Sequence, residues 1–197
     1  MCFNLEVSLG TFIFSWGISI YLLNKSKKLS VMHRHHVIML MIFSSMQLAD
    51  ALLWYSKMKK NKLNFIVTSL IIPSILSLQI FYNVFVINKG KNAILNCVAL
   101  LFSLYMFIKF NGYSKSLCDL KPNNKNKLRS PIWGNSEIRP IEFAIFIFLF
   151  LYPHFTTRSL TVMITSIILI HLFFDGAYGS LWCAFANLAA LYYLFKY

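Results

Sequence analysis

Val37-Ile38-Met39-Leu40-Met41-Ile42-Phe43-Ser44-Ser45-Met46-Gln47-Leu48-Ala49-Asp50-Ala51-Leu52-Leu53-Trp54-Tyr55 carries a single charged residue, Asp50. A helix needs ~20 predominantly apolar residues to cross the hydrocarbon core of a bilayer. Trp54 and Tyr55 close the run at the depth where aromatic rings meet head groups, and Lys57, Lys59, Lys60 and Lys62 follow at once. The stretch therefore reads as a transmembrane helix, and the rest of the chain repeats its pattern.

Of the 197 residues, 58% are hydrophobic and 13% charged, whereas soluble domains carry roughly a quarter charged residues. Mean hydropathy is +0.62. A formal charge of +13 would suggest nucleic acid in a soluble protein. Here Lys and Arg cluster at the ends of apolar runs. The lipid bilayer and its anionic head groups are then the expected partners, and nucleic acid is not. The first apolar run has no basic leader, and its length suits a span better than a cleaved signal. Abundant Lys, Asn, Ile and Phe match an AT-rich genome, such as that of a large DNA virus or an AT-rich microbe. A viral source would place the chain in a host or virion membrane. Cys2, Cys97, Cys118 and Cys183 show no C-x-x-C spacing, so neither a zinc site nor a disulfide framework is read from them.

Working outward, residues 5–23 form a first span, with Ser8, Gly10, Ser15, Gly17 and Ser19 offering small faces for close helix packing. His33, Arg34, His35 and His36 read as a basic loop facing head groups, since adjacent histidines on a loop rarely converge on a metal. Residues 65–87 form a third span. Pro73 predicts a kink near Leu70–Pro73, and Gln79 and Asn83 lie one turn apart on one face. Lys89-Gly90-Lys91 makes a tight turn into a fourth span at residues 93–110. Residues 111–140 form the one long polar loop, whose 122–127 core reads as flexible. Three more apolar runs follow, at residues 141–155, 159–174 and 178–195. Pro140 is well placed to open the first of them.

The expected fold class is all-α, a polytopic transmembrane bundle of seven helices forming one domain over residues 1–197. The fifth and sixth runs are short, so the alternative is five full spans plus a re-entrant pair. No internal repeat is evident. Seven spans put the amino terminus and the 2–3, 4–5 and 6–7 connections on one face. All six acids, Glu6, Asp50, Asp119, Glu137, Glu142 and Asp175, fall on that face or in the half of the membrane beside it. The positive-inside rule gives opposite orientations when applied to the whole chain and to the first helix alone.

Polar residues inside spans carry the functional expectations. A carboxylate within a span costs ~2.5–3.5 kcal/mol on insertion scales, so Asp50 should face the bundle interior and have a partner. Gln47, Asp50 and Trp54 share a helical face. They read as a ligand, ion or proton site, or as an interhelical bond that fixes packing. His171 and Asp175, four apart, suit a proton relay or a metal ligand backed by an acid; equally, Asp175 ends a helix and Gly176 turns the chain. Ser180, Cys183 and Asn187 form a polar stripe on the last helix, with Trp182 beside it as an interface anchor. Cys2 and Glu6 are also four apart. Cys2 reads as a free thiol, an acylated anchor or one half of a pair with Cys183 or Cys118.

Three of these stretches resemble a known group. Met1-Cys2-Phe3 with Glu6 and Ser8 resembles the opening of small polytopic membrane proteins that begin "MCFS" and occur in bacteria, algae and giant viruses. Met46-Gln47-Leu48-Ala49-Asp50-Ala51-Leu52-Leu53-Trp54 resembles their second-helix motif, and Gly179-Ser180-Leu181-Trp182-Cys183 with Asn187 their closing one. Asn4 stands where serine is usual and Asp50 where glutamate is more frequent. The resemblance implies an integral membrane protein and no established activity. Its three motif stretches are the ones that the expected topology gathers on one face.

The reading is therefore a multi-pass membrane protein, leaning away from enzymatic activity. It would bind or pass a small ligand or ion at a polar cluster near the amino-terminal face, formed by Cys2, Glu6, Gln47, Asp50, Trp54, His171, Asp175, Ser180, Trp182, Cys183 and Asn187. One alternative is a membrane-embedded metal-dependent hydrolase, which would need about three convergent His ligands; here only His171 is well placed. The other is a structural or assembly protein of a viral or cellular membrane. Cofactor and metal are left unknown by the sequence.

Overall fold

The structure, a computed structural model, describes residues 4–25, 31–116, 131–134, 138–152 and 187–195. Helix α1 is Leu5–Lys25. Asn4 Oδ1 caps it by accepting from the Val7 N–H at 2.8 Å. Glu6 in its first turn and Lys25 in its last complement the helix dipole. Helix α2 is Val31–Tyr55, α3 is Lys62–Ile87, α4 is Ala93–Lys109 and α5 is Pro140–Leu151. Helix α6 covers residues 187–195. Between α4 and α5, a short strand β1 (Lys115–Ser116) pairs antiparallel with β2 (Pro131–Ile132).

Helices α1, α3 and the His33–Tyr55 part of α2 are each long and apolar enough to cross a membrane. At 1.5 Å per residue they run about 32, 39 and 35 Å, against a hydrocarbon core of about 30 Å. The surfaces of α1 to α4 are turned inside out relative to a soluble bundle. Ser8, Ser15, Ser19, Ser44, Gln47, Asp50 and Gln79 are buried, while Ile13, Ile20, Leu70, Leu78, Leu101, Leu104 and Ile108 face outward. A continuous apolar exterior of this kind is unfavourable in water and favourable in lipid.

The histidines expected on a loop are helical instead. Helix α2 starts at Val31, so His33, Arg34, His35 and His36 occupy its first turns. His35 Nδ1 lies 2.8 Å from the Tyr82 hydroxyl on α3, and His36 stacks on Tyr193 of α6 with ring centroids 6.2 Å apart. A partner on each neighbouring helix extends the helical pattern beyond the apolar run. The polar stretch 111–140 also departs from a plain loop, because its two ends pair and pack against the helices. Its 122–127 core, the remainder of the fifth run, all of the sixth and the start of the seventh lie outside the described residues.

Helix α3 opens twice into π-helical turns, over Val67–Ile71 and Tyr82–Ile87. Pro73 has no N–H to offer the Ser69 carbonyl. Just before it, the Ile72 N–H bonds the Val67 carbonyl, five residues back. The expected kink thus takes the form of a widened turn. In the second opening, the Asn88 N–H bonds the Asn83 carbonyl at 3.0 Å. The chain then reverses through Lys89 and Gly90, both left-handed (φ 54° and 57°).

Among the described residues two apolar cores result. The larger joins α2, α3, α4 and α5 and includes Leu53, Ile72, Ile80, Phe110, Trp133 and Leu149. The smaller joins α1, α2 and α6 through Leu22, Val37, Leu40, Phe43 and Ala190.

Candidate functional site

Asp50 sits on the inner side of α2 and is 2% exposed. Its partner comes from outside the expected spans. The Trp133 indole Nε1 donates to Asp50 Oδ1 at 3.0 Å. The β1–β2 pair returns the chain to α4, where Trp133 packs edge-on against Phe110. Gly134 makes the approach possible. Its φ is 74°, and a Cβ there would lie 3.0 Å from the Phe110 Cα, so a side chain would collide with backbone and adopt an unfavourable conformation. Nothing in the sequence pointed to Trp133; the one available signal was an aromatic donor inside an otherwise polar loop.

The other described members of the expected cluster divide. Gln47 Oε1 lies 3.0 Å from the Thr11 hydroxyl of α1, which can donate to it or back to the Val7 carbonyl at 2.9 Å. The Ser15 hydroxyl donates to Asn187 Oδ1 at 2.8 Å, tying α1 to α6. Gln47 Nε2 and the Trp54 indole nitrogen are buried without a partner. Glu6 is exposed in the first turn of α1. Cys2, His171, Asp175, Ser180, Trp182 and Cys183 lie outside the described residues. Cys97, the described cysteine, is exposed and free. Among the described residues no three His, Cys, Asp or Glu side chains converge as metal ligands. Gln47 and Asn187 both bond α1, and Asp50 bonds the strand segment, so each ties its helix to another part of the chain, which is the arrangement of interhelical fastening.

Two further polar clusters hold the same end of the bundle and escaped the sequence reading. Asn64 Nδ2 donates to the Ser114 carbonyl at 2.9 Å, and its Oδ1 accepts from the Ser114 N–H at 2.9 Å. The Thr68 and Ser114 hydroxyls are 2.7 Å apart, and the Gly112 N–H donates to Ser69 Oγ at 3.0 Å. The chain leaving α4 is thereby clasped to the first π-helical turn of α3. On the far side of α4, the buried Glu142 carboxylate accepts from Lys109 Nζ, the Tyr105 hydroxyl and the Arg139 N–H. That last bond caps α5, where Pro140 opens the helix as expected.

The opposite end of the bundle contains a partly open cavity of about 300 Å³. His36, Met39, Leu40 and Phe43 of α2 form one wall, and Asn83 and Ile87 of α3 another. Phe150 and Leu151 of α5 face Ala189 and Tyr193 of α6 across it. Most of the lining is apolar. Among the described lining residues, Asn83 is the one deeply buried polar side chain, 2% exposed. Its Nδ2 donates to the Leu149 and Tyr152 carbonyls at 2.7 and 2.6 Å, satisfying the carboxyl end of α5. Asn88 adds a second bond to the Tyr152 carbonyl at 2.8 Å. The cavity volume lies at the small end of the range for ligand sites.

The fold and these sites define an α-helical protein with three membrane-capable helices, polar ties between segments and an apolar cavity near one end. The chain matches no protein-family model, no curated protein and no solved structure.

Proposed function

We propose that this chain is a multi-pass membrane protein that holds a small, largely apolar ligand in the cavity between α2, α3, α5 and α6. The six described helices and the apolar run at residues 159–174 would together make the seven-helix bundle. The resemblance to the "MCFS" group accords with membrane integration. The observation that carries the ligand reading is the cavity itself. Apolar side chains from four helices leave about 300 Å³ unfilled, and close packing is the rule in helical interiors. The polar groups near the amino-terminal face support fastening instead, since Gln47, Asp50 and Asn187 already bond protein groups.

Photolabelling in lipid nanodiscs with an apolar alkyl diazirine tests the reading. Labels should concentrate on Met39–Phe43 and Phe150–Leu151, and Ala189→Phe, which fills the cavity, should remove them. Labelling spread over the outward face of α4, at Leu101 and Leu104, and unchanged by Ala189→Phe would refute it.

A further inference from the structure

Among the described lining residues, Asn83 is the deeply buried polar group that can select among apolar ligands. An Asn side chain offers two N–H donors and one carbonyl acceptor, and its amide orientation is fixed when both partners of the nitrogen are known. Both groups that Asn83 Nδ2 meets are main-chain carbonyls, which only accept. The nitrogen therefore faces the end of α5, and Oδ1 is left over. No hydrogen bond from a described residue reaches that oxygen. Asn83 lines the cavity, and Oδ1 is the one polar atom of its side chain that these bonds leave over for a ligand.

We infer that the ligand is a single-chain lipid alcohol whose hydroxyl donates to Asn83 Oδ1, with its hydrocarbon lying along Met39, Leu40, Phe43 and Phe150. This rests on the ligand reading above and adds its chemical class. An unpaired acceptor in apolar surroundings favours a ligand that brings a donor. A hydroxyl supplies one without bringing a charge. The described lining contains no Lys or Arg to balance a carboxylate or phosphate, and its one imidazole, His36, is stacked on Tyr193. The volume fits one chain better than a two-chain lipid. A fatty alcohol and a monoacylglycerol share this chemistry.

Competition against the diazirine label in wild-type protein tests the inference without altering Asn83, whose loss would also uncap α5. The competitors are 1-dodecanol, 1-monolaurin, dodecyl methyl ether and dodecanoate, each compared at equal mole fraction in the bilayer. Dodecanol or monolaurin should displace the cavity label at about three- to tenfold lower mole fraction than the ether, the effect of one neutral hydrogen bond. Whichever of the two competes more strongly identifies the source class. Equal competition by alcohol and ether would overturn the inference and leave the ligand reading standing. Stronger competition by dodecanoate would overturn it in favour of an anion. Absence of any cavity label sensitive to Ala189→Phe would remove the ligand reading and this inference with it.

Discussion

Trp133→Phe isolates the bond on which the sequence-level reading of Asp50 depends. Phenylalanine keeps an aromatic ring against Phe110 and deletes the indole N–H. Asp50 and Trp133 are 2% and 5% exposed, so water cannot easily replace the lost donor. A hydrogen bond to an ionisable group contributes ~1.5–3 kcal/mol in soluble proteins. Interhelical bonds in a membrane protein average only ~0.6 kcal/mol and reach ~1.7, because the unfolded chain in lipid also finds partners. Asp50 lies five residues before the end of α2 at Tyr55, about 8 Å along the axis. Its surroundings are therefore intermediate between the two cases, and a coupling of about 1–2 kcal/mol is expected. A double-mutant cycle with Asp50→Leu separates this coupling from the packing lost with the larger ring. Unfolding in mixed detergent and dodecyl sulfate micelles, followed by far-ultraviolet circular dichroism, measures each variant. Each single variant should be destabilised and the pair should recover the coupling. A coupling under ~0.3 kcal/mol would show that Trp133 does not hold Asp50.

Glu142→Gln leaves the Lys109 ammonium buried beside a neutral amide, and should destabilise by about 2–3 kcal/mol, somewhat less than outright removal of a buried partner; the same micelle titration reads it. Asn64→Leu with Thr68→Val removes the acceptors of the Ser114 N–H, Asn64 Oδ1 and Thr68 Oγ1, so hydrogen exchange at the Ser114 amide should accelerate at least tenfold, and unchanged protection there would count against the clasp. Gln79 is fully buried with both amide atoms unpartnered. Gln79→Leu should therefore raise stability by about 1 kcal/mol, whereas a loss of stability would reveal a polar partner for that amide.

The apolar runs were legible because a bilayer imposes length and composition on any helix that crosses it. The expected span at residues 5–23 and the helix Leu5–Lys25 differ by two residues at one end. The run 93–110 and Ala93–Lys109 differ by one. Pro73 located the irregularity in α3, though composition could not show that a π-helical turn would absorb it. The second opening, at Tyr82–Ile87, has no proline and left no trace in the sequence. The start of α2 was misjudged because three histidines and an arginine look like a loop until Tyr82 and Tyr193 are known to receive two of them. Asp50 was recognisable as a buried acid. Its partner was not, because Trp133 is 83 residues away and arrives through a two-residue strand pair too short to give a period. Lys109 and Glu142 fell on opposite sides of the long loop for the same reason.

Asn83 and Gln79 are one turn apart on α3 and carry the same functional group, yet their surroundings give them different consequences. Gln79 meets no donor or acceptor among the described residues, so its amide is a plain cost to the fold. Asn83 stands at the second π-helical opening, where its nitrogen reaches the last turn of α5. Both of its protons go to carbonyls that the end of a helix leaves without partners. An amide so placed cannot rotate its oxygen away without giving up two bonds. The acceptor is therefore fixed on the side away from the end of α5 by the same contacts that terminate that helix. In the proposed ligand reading, selectivity for a donor-bearing ligand would follow from how the bundle is held together, with no residue set aside for the purpose.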